Sequence, residues 1–338
     1  MPLLAAEGRM NALTRNRMNR AIGQWQNDLA DGNYYQTWYP IHLARELKSG
    51  RIVGKEFLGT RIILYRDADN KPVVQSAYCP HVGADLACGE LVEGQVRCAY
   101  HHWRFAADGK CTDIPTGDKI PPGARLYNYP AAEKWGLIWA FHGERATFGV
   151  PEIPEVEESE FVGITGERGE RPIDHWLSTS NAFDFQHLRA LHGLPHQAEP
   201  KEIEATSHSL EYGRGHSGPY YHHGKVTGTN TFAHCVKTPA GEHFMLVSSA
   251  ALAPGKSLSF YVVGVRKSTA EKMSPRELHD HLAGLEASAI KLYTEDEPVL
   301  FSIRFRGPAE GNWVGADRHL AGYFRYLREF PQARPFDT

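Results

Sequence analysis

Two short stretches, Cys79-Pro80-His81 and Cys98-Ala99-Tyr100-His101, stand sixteen residues apart and each pairs one cysteine with one histidine. This spacing constrains the fold more than any other feature, because both pairs must sit on loop tips that face each other. A finger-type zinc site gathers its cysteines at one end and its histidines at the other. The alternating order found here lets two facing tips place both thiolates on one metal and both imidazoles on a second. That is the ligand division of a two-iron, two-sulfide cluster in which two histidines replace two cysteines. On the residues alone, a zinc-ribbon variant and a set of unconnected cysteines and histidines remain as alternatives.

The surroundings suit loop tips on a small β domain. From Trp38 to about His142, β-rich runs (RIILYR, PVVQSAY, QVRCAY, GLIWAF) alternate with Gly, Pro and Asp clusters. Residues 10–31 carry helical spacing and end in Asp-Gly, and the proline- and glutamate-rich GVPEIPEVEESEF reads as a connector. The second half mixes strands (KVTGTNTF, HFMLVSSAAL, SLSFYVVGVR) with two helical stretches. The boundaries expected are 1–37 (a helical segment packing on the second domain), 38–148 and 149–338. A net charge of -3 gives no footprint for nucleic acid. Five cysteines in 338 residues do not form a secreted disulfide framework. No apolar run reaches the roughly 18 residues of a membrane span, and the N-terminus lacks signal-peptide order. A cytoplasmic protein with reduced thiols is expected, with Cys88, Cys111 and Cys235 as buried thiols.

A second constellation lies in Ser178–His196, which holds Asn181, Asp184, His187 and His192. Asp184 and His187, three apart, share a helix face. His187 and His192, five apart, are about 140° around an ideal helix, so they meet only where a helix distorts or ends. Gly193 and Pro195 end it. Spacing alone fits two unrelated histidines equally well. Further on, Ser274-Pro275-Arg276-Glu277 is a helix start with a capping box. Leu278, Leu282, Leu285, Ala289 and Leu292 then form a core-facing stripe whose next step is Asp296. A carboxylate there is costly unless paired or metal-bound. Its neighbours Glu295 and Glu297 point elsewhere on this reading, and Pro298 ends the helix.

CPHVGADL and CAYHHWRF, the Gly109-Lys110-Cys111 turn, and Asp184-x-x-His-x-x-x-x-His resemble the Rieske non-haem iron oxygenases. The likeness is to the monooxygenase branch with ketosteroid hydroxylases, sterol desaturases, demethylases and arylamine oxygenases. His102 stands where that family usually has glycine. The resemblance implies an α+β chain: an N-terminal all-β Rieske domain, then a helix-grip catalytic domain with a curved antiparallel sheet over a long C-terminal helix. It implies Cys79, His81, Cys98 and His101 as ligands of a [2Fe–2S] cluster, and His187, His192 and Asp296 as ligands of a mononuclear Fe(II). Asn181 lies near that iron, and Asp184 bridges to His101 of a neighbouring subunit in a homotrimer.

The function implied is that of a terminal oxygenase using O2 and electrons from a separate NAD(P)H-dependent reductase or ferredoxin. Its substrate is an apolar aromatic or polycyclic small molecule, hydroxylated or oxidatively demethylated; arylamine N-oxygenation and sterol-type desaturation use the same scaffold. The competing readings are an electron carrier without oxygenase activity and a zinc-bound structural module. Gly213-Arg214-Gly215-His216-Ser217-Gly218 matches a dinucleotide pattern without its strand-to-helix context. His222-His223 and His279-Asp280-His281 are read as surface or pocket-edge residues.

Overall fold

The computed structural model describes residues 32–194, 200–214, 218, 220–239, 241–305 and 312–335. The helix expected over 10–31 lies outside the described residues, as do Pro195 and His196. The first half consists of short strands: β1 (Tyr34–Tyr35), β2 (Trp38–Leu43), β3 (Val53–Phe57), β4 (Thr60–Arg66), β5 (Pro72–Ser76), β6 (Glu90–Val92), β7 (Gln95–Arg97), β8 (Arg104–Phe105), β9 (Cys111–Asp113), β10 (Asn128–Tyr129), β11 (Ala131–Lys134) and β12 (Leu137–Phe141). Strands β2 to β12 make three antiparallel sheets, ordered β10-β5-β4-β3, β11-β12-β2 and β6-β7-β8-β9. The alternation of β4 explains how they stack. Ile62 and Leu64 enter the core shared with the second half of the chain, while Ile63 and Tyr65 enter the core beneath the cysteine loops. All four are fully buried.

The second half is one seven-stranded antiparallel sheet made of β13 (Phe161–Arg171), β14 (Glu204–Ala205), β15 (Ser209–Tyr212), β16 (Tyr221–Thr227), β17 (Thr231–Thr238), β18 (Gly241–Ala253) and β19 (Lys256–Arg266). Its order is β13-β19-β18-β17-β16-β15-β14. The run KVTGTNTF, expected as one strand, is split between β16 and β17 by a turn at Gly228, whose φ is +64°. Asn230 in this turn donates to the carbonyls of Trp38 and Ser249, each at 3.0 Å, which ties the turn to β2 and β18.

The helices are α1 (His175–Ser180), α2 (Phe185–Ala190), α3 (Lys267–Ala270), α4 (Pro275–Leu300) and α5 (Arg318–Glu329). The capping box on α4 forms with Ser274 and Glu277. Contrary to the expected stop, α4 continues through Pro298 to Leu300. In the last turn a proline forfeits only one backbone hydrogen bond, so the helix tolerates it there.

The two faces of the large sheet have different partners. Phe244, Leu246, Phe260 and Val262 pack with Trp38, Phe57, Leu137 and Trp139 of the first half. Met245, Val247, Tyr261 and Val263 pack with Leu285 and Ala289 of α4. Fully burying a side chain of this size is worth about 1.5–3 kcal/mol, so the shared core couples the halves strongly. Backbone bonds cross it too: Leu58 N–H donates to Ala251 C=O at 2.9 Å and Gly59 N–H to Leu252 C=O at 2.6 Å. β1 pairs with β20 (Gln332–Ala333), so the segment before residue 37 is stitched to the far end of the chain. No described helix is long and apolar enough to cross a membrane.

Candidate metal centres

The loops carrying the two cysteine–histidine pairs have the same backbone plan. In the first, Cys79 N–H donates to Ala84 C=O at 2.9 Å and Gly83 N–H to Cys79 C=O at 2.8 Å. In the second, Cys98 N–H donates to Trp103 C=O at 2.9 Å and His102 N–H to Cys98 C=O at 3.0 Å. The fifth residue of each turn has a left-handed backbone, Gly83 at φ +81° and His102 at φ +60°. The turn brings the thiols inward and the imidazoles outward. Cys79 and Cys98 are 2% and 1% exposed, whereas His81 and His101 are both exposed, with ring centres 4.5 Å apart. Trp103 stacks on His81 at 4.5 Å and so fixes its ring plane.

Burial pushes the Cys79 thiol up to about 12, with a further push from Cys98 beside it. Two buried thiols side by side suit a group that supplies the positive charge itself, as iron does. Ligands of one tetrahedral zinc would crowd within about 4 Å of each other, given Zn–S bonds of about 2.3 Å. Among the described residues, only His187, His192 and Asp296 form a group of three or more whose donor atoms all lie within 4.8 Å. The four cysteine and histidine donors are spread more widely, which fits a two-iron cluster better than one ion.

His102 is exposed, and its left-handed backbone costs a non-glycine residue about 1–2 kcal/mol. Glycine would relieve that cost, and its greater freedom in the unfolded state would offset part of the relief. His102→Gly should therefore raise stability by about 0.5–1 kcal/mol with the cluster retained. Urea midpoints and the visible spectrum check it, and a less stable variant would show that the imidazole itself makes a stabilising contact.

The second centre is built where α1 and α2 are interrupted. Asp184 is the N-cap of α2: its Oδ1 accepts from Gln186 N–H and His187 N–H, both at 3.1 Å. It does not share a helical face with His187, as the spacing suggested, because the helix begins only after it. The helix stops at Ala190, and Gly193 follows at φ +63°, so His192 swings back toward His187. From α4, Asp296 meets them at 5% exposure; the stripe through Leu282 and Ala289 carries it inward.

The hydrogen bonds fix which imidazole nitrogens face the centre. His187 Nδ1 bonds to the Asp184 carbonyl oxygen. His192 Nδ1 bonds to Glu295 Oε2 at 2.8 Å. Where each Nδ1 donates to that acceptor, the neutral imidazole presents Nε2 as a lone pair. Those lone pairs point at a carboxylate: His192 Nε2 is 3.0 Å and His187 Nε2 3.9 Å from Asp296 Oδ1. Asp296 Oδ1 is buried without a hydrogen-bond donor despite this closeness. Burial raises the Asp296 carboxyl, partly offset by His187, His192 and the Asn181 side chain. Three donor atoms converging within 4.8 Å fit a divalent metal ion, and the two-histidine, one-carboxylate set suits non-haem Fe(II).

Glu295 was expected to point away from the core, yet it holds His192. Glu297 is engaged as well, pairing with Arg168 and Arg171 of β13, each at 2.7 Å, and so clamps α4 beside Asp296. A histidine outside α4 and 103 residues away in sequence leaves no local signal, so periodicity could not find the Glu295 contact. Outer carboxylates of this kind typically change metal affinity by about 10–100-fold. Glu295→Gln should accordingly weaken retention of the mononuclear metal by about tenfold while the cluster signal stays constant, as read by metal analysis across a chelator series.

Two further expectations are corrected. Cys88 is exposed rather than buried, because it ends a short helical turn at the loop surface. His222 and His223 are interior residues of β16. His223 is 4% exposed and bonded to Glu211 and Glu155, each at 2.7 Å, and His222 bonds to His234 at 3.0 Å. His279 and His281 are exposed on α4. A recess of about 520 Å³ lined by Leu43, Arg45, Thr165, Tyr261 and Glu286 shares no residue with either centre.

Residues 37–130 match the family model described as "Rieske [2Fe-2S] domain". The oxygenase component of 3-ketosteroid-9-alpha-monooxygenase from Rhodococcus rhodochrous is 37% identical over 36% of this chain and 32% of its own length. Cholesterol 7-desaturase nvd from Xenopus laevis is 34% identical over 55% of this chain and 41% of its own length. The matched stretches thus span well under half of these relatives. Among solved structures, Pseudomonas putida CBB5 NdmA superposes with a TM-score of 0.69 at 18% identity, covering 90% of this chain and 97% of its own. Dicamba monooxygenase bound to dicamba superposes at 0.65 and 20% identity, covering 87% and 97%. The fold of both halves is shared with these structures.

Proposed function

We propose that the chain, whose residues 37–130 match a Rieske [2Fe-2S] domain and whose fold is that of NdmA, is a terminal oxygenase of the Rieske non-haem iron type. It uses O2 and electrons from a separate NAD(P)H-dependent reductase or ferredoxin to hydroxylate or oxidatively demethylate an apolar aromatic or polycyclic molecule. Cys79, His81, Cys98 and His101 would hold the cluster, and His187, His192 and Asp296 the mononuclear iron. When bound, the cluster supplies single electrons and the iron an open position for O2.

The chain's own residues do the rest. Asp184 C=O and Glu295 hold both iron histidines in the Nε2-presenting tautomer. Glu297, gripped by Arg168 and Arg171, steadies the helix that bears Asp296. Met245 and Val247 pack with Leu285 and Ala289 between sheet and α4 and exclude water there. We assign Asp184 a second role beyond capping, that of bridging to His101 of another copy in a homotrimer, while Asn181 steadies Asp296. The division at 38–148 and 149–338 is kept as the functional one, with work in the cytoplasm.

The observation that carries the reading is the buried Asp296 Oδ1 facing two imidazole Nε2 atoms whose other nitrogens are already engaged. The test is metal analysis and low-temperature EPR of anaerobically purified protein before and after dithionite. About three irons per chain and a Rieske-type reduced signal are expected. A colourless, zinc-loaded protein would overturn it. O2 uptake in proportion to added substrate then separates an oxygenase from an electron carrier.

A further inference from the structure

The sheet face that looks toward α4 carries Met245, Val247 and Val263, a bonded Ser249–Ser259 pair, and a group of imidazoles that includes His243. Met245 lies on this face, and His234 is its direct cross-strand partner, so His234 lies there too. Gly224 pairs with His234 and with Tyr212, and His222, two residues along from Gly224, shares the face. His222 Nε2 and His234 Nδ1 are 3.0 Å apart and joined by a hydrogen bond. Neither imidazole has a second hydrogen-bond partner among the described residues, yet both retain partial exposure deep within the fold. They therefore border open space rather than packed core.

The pair is linked to the His187 centre by a chain of ring contacts. The Tyr212 ring crosses over Gly224, where a Cβ would meet Tyr212 Cζ at 2.3 Å, so glycine is needed there. Tyr212 then stands edge-on to His222, ring centres 5.3 Å apart, and edge-on to Phe185 at 5.5 Å. Phe185 opens α2, two residues before His187.

The shared hydrogen bond sets what the pair can offer. Two neutral imidazoles carry two ring protons, and one of them lies between His222 Nε2 and His234 Nδ1. The other sits on His222 Nδ1 or on His234 Nε2. One outward nitrogen is then a donor and the other an acceptor, whichever way the pair is arranged. Burial holds both imidazoles neutral, pushing His222 down to about 4 and His234 further. A substrate carboxylate would meet no cation there and would lose its hydration. A hydroxyl, which can either donate or accept, can bond whichever outward nitrogen it meets in either arrangement.

We propose that His222 and His234 are the specificity-determining polar anchor of the substrate pocket and select ring compounds bearing an uncharged hydroxyl. The proposal rests on the oxygenase reading only in taking this space for the substrate pocket. The test is equilibrium dialysis of naphthalene, 2-naphthol and 2-naphthoate against oxidised holoenzyme under anaerobic conditions. It compares the wild type with His222→Leu, His234→Leu and His234→Gln, each checked for its cluster signal and iron content. In the wild type, 2-naphthol should bind about tenfold tighter than naphthalene, the worth of one net hydrogen bond, and 2-naphthoate weakest. Each leucine variant should bind naphthol and naphthalene alike, and His234→Gln, which keeps a donor and an acceptor, should recover part of the preference.

Failure of wild-type protein to bind 2-naphthol, binding no tighter than naphthalene, or a preference that survives both leucine variants would overturn the anchor. If a leucine variant loses its metals, the wild-type preference and the glutamine variant decide. Selective naphthol binding without substrate-linked O2 uptake for any ring compound would sink the oxygenase reading and leave the anchor standing. O2 uptake without that selectivity would do the reverse.

Discussion

Asp296→Leu should remove the mononuclear iron, abolish substrate-dependent O2 uptake and make the metal-free protein more stable. The first two effects follow from losing the one carboxylate that faces His187 Nε2 and His192 Nε2. Iron should fall from about three to about two per chain with the reduced cluster signal unchanged. The third effect separates a ligand from a structural salt bridge. A buried carboxylate oxygen without a donor is a cost in the absence of metal, about 1–3 kcal/mol for one unsatisfied buried polar group, and an apolar side chain of similar volume removes it. If Asp296 were instead a stabilising ion-pair partner of His192, the leucine variant would be less stable. Metal analysis, EPR and urea unfolding of chelator-treated protein give all three answers; retained iron with full turnover would place the third ligand elsewhere.

Asp184→Asn should keep both metals and the fold while lowering coupled turnover by about 100-fold, the upper range for carboxylates that orient metal-bound histidines. The comparison with Asp184→Ala isolates the cause. Asparagine caps a helix as well as aspartate does, so the two bonds to Gln186 N–H and His187 N–H survive the first substitution. Alanine loses the cap as well and should cost about 1 kcal/mol. Single-turnover oxidation of a pre-reduced cluster reads electron delivery directly. Normal rates in the asparagine variant would leave Asp184 with its capping role alone.

Patterns within one element were readable from the sequence, and contacts between elements mostly were not. Asp296 could be found because the stripe Leu278–Leu282–Leu285–Ala289–Leu292 has helical period and the next step is a buried acid. The paired cysteine loops, the capping box at Ser274 and most strands of the large sheet have similar local signatures. Glu295 was misread because it stands one position off the stripe and reaches a histidine from a different part of the chain. His222 and His223 were misread because alternation in β16 is masked: one face is covered by the neighbouring half of the chain and the other by side chains around Phe185 and Tyr323, so adjacent polar residues both lie within the fold. His102 looked like a simple substitution. Its equivalence to Gly83 emerges only from matching hydrogen bonds in two loops of different sequence.

The core common to both halves has a mechanical consequence. A hinge between the cluster-bearing sheets and the iron-bearing sheet would have to prise Trp38, Phe57, Leu137 and Trp139 from Leu246, Phe260 and Val262 and part the Leu58–Ala251 and Gly59–Leu252 backbone pairs. At about 1.5–3 kcal/mol per large side chain, such a swing is comparable in cost to global unfolding. The head is thus a fixed mast rather than a swinging arm. The separation within one molecule between the exposed His81 and His101 edge and the group of His187, His192 and Asp296 is therefore set once, at folding.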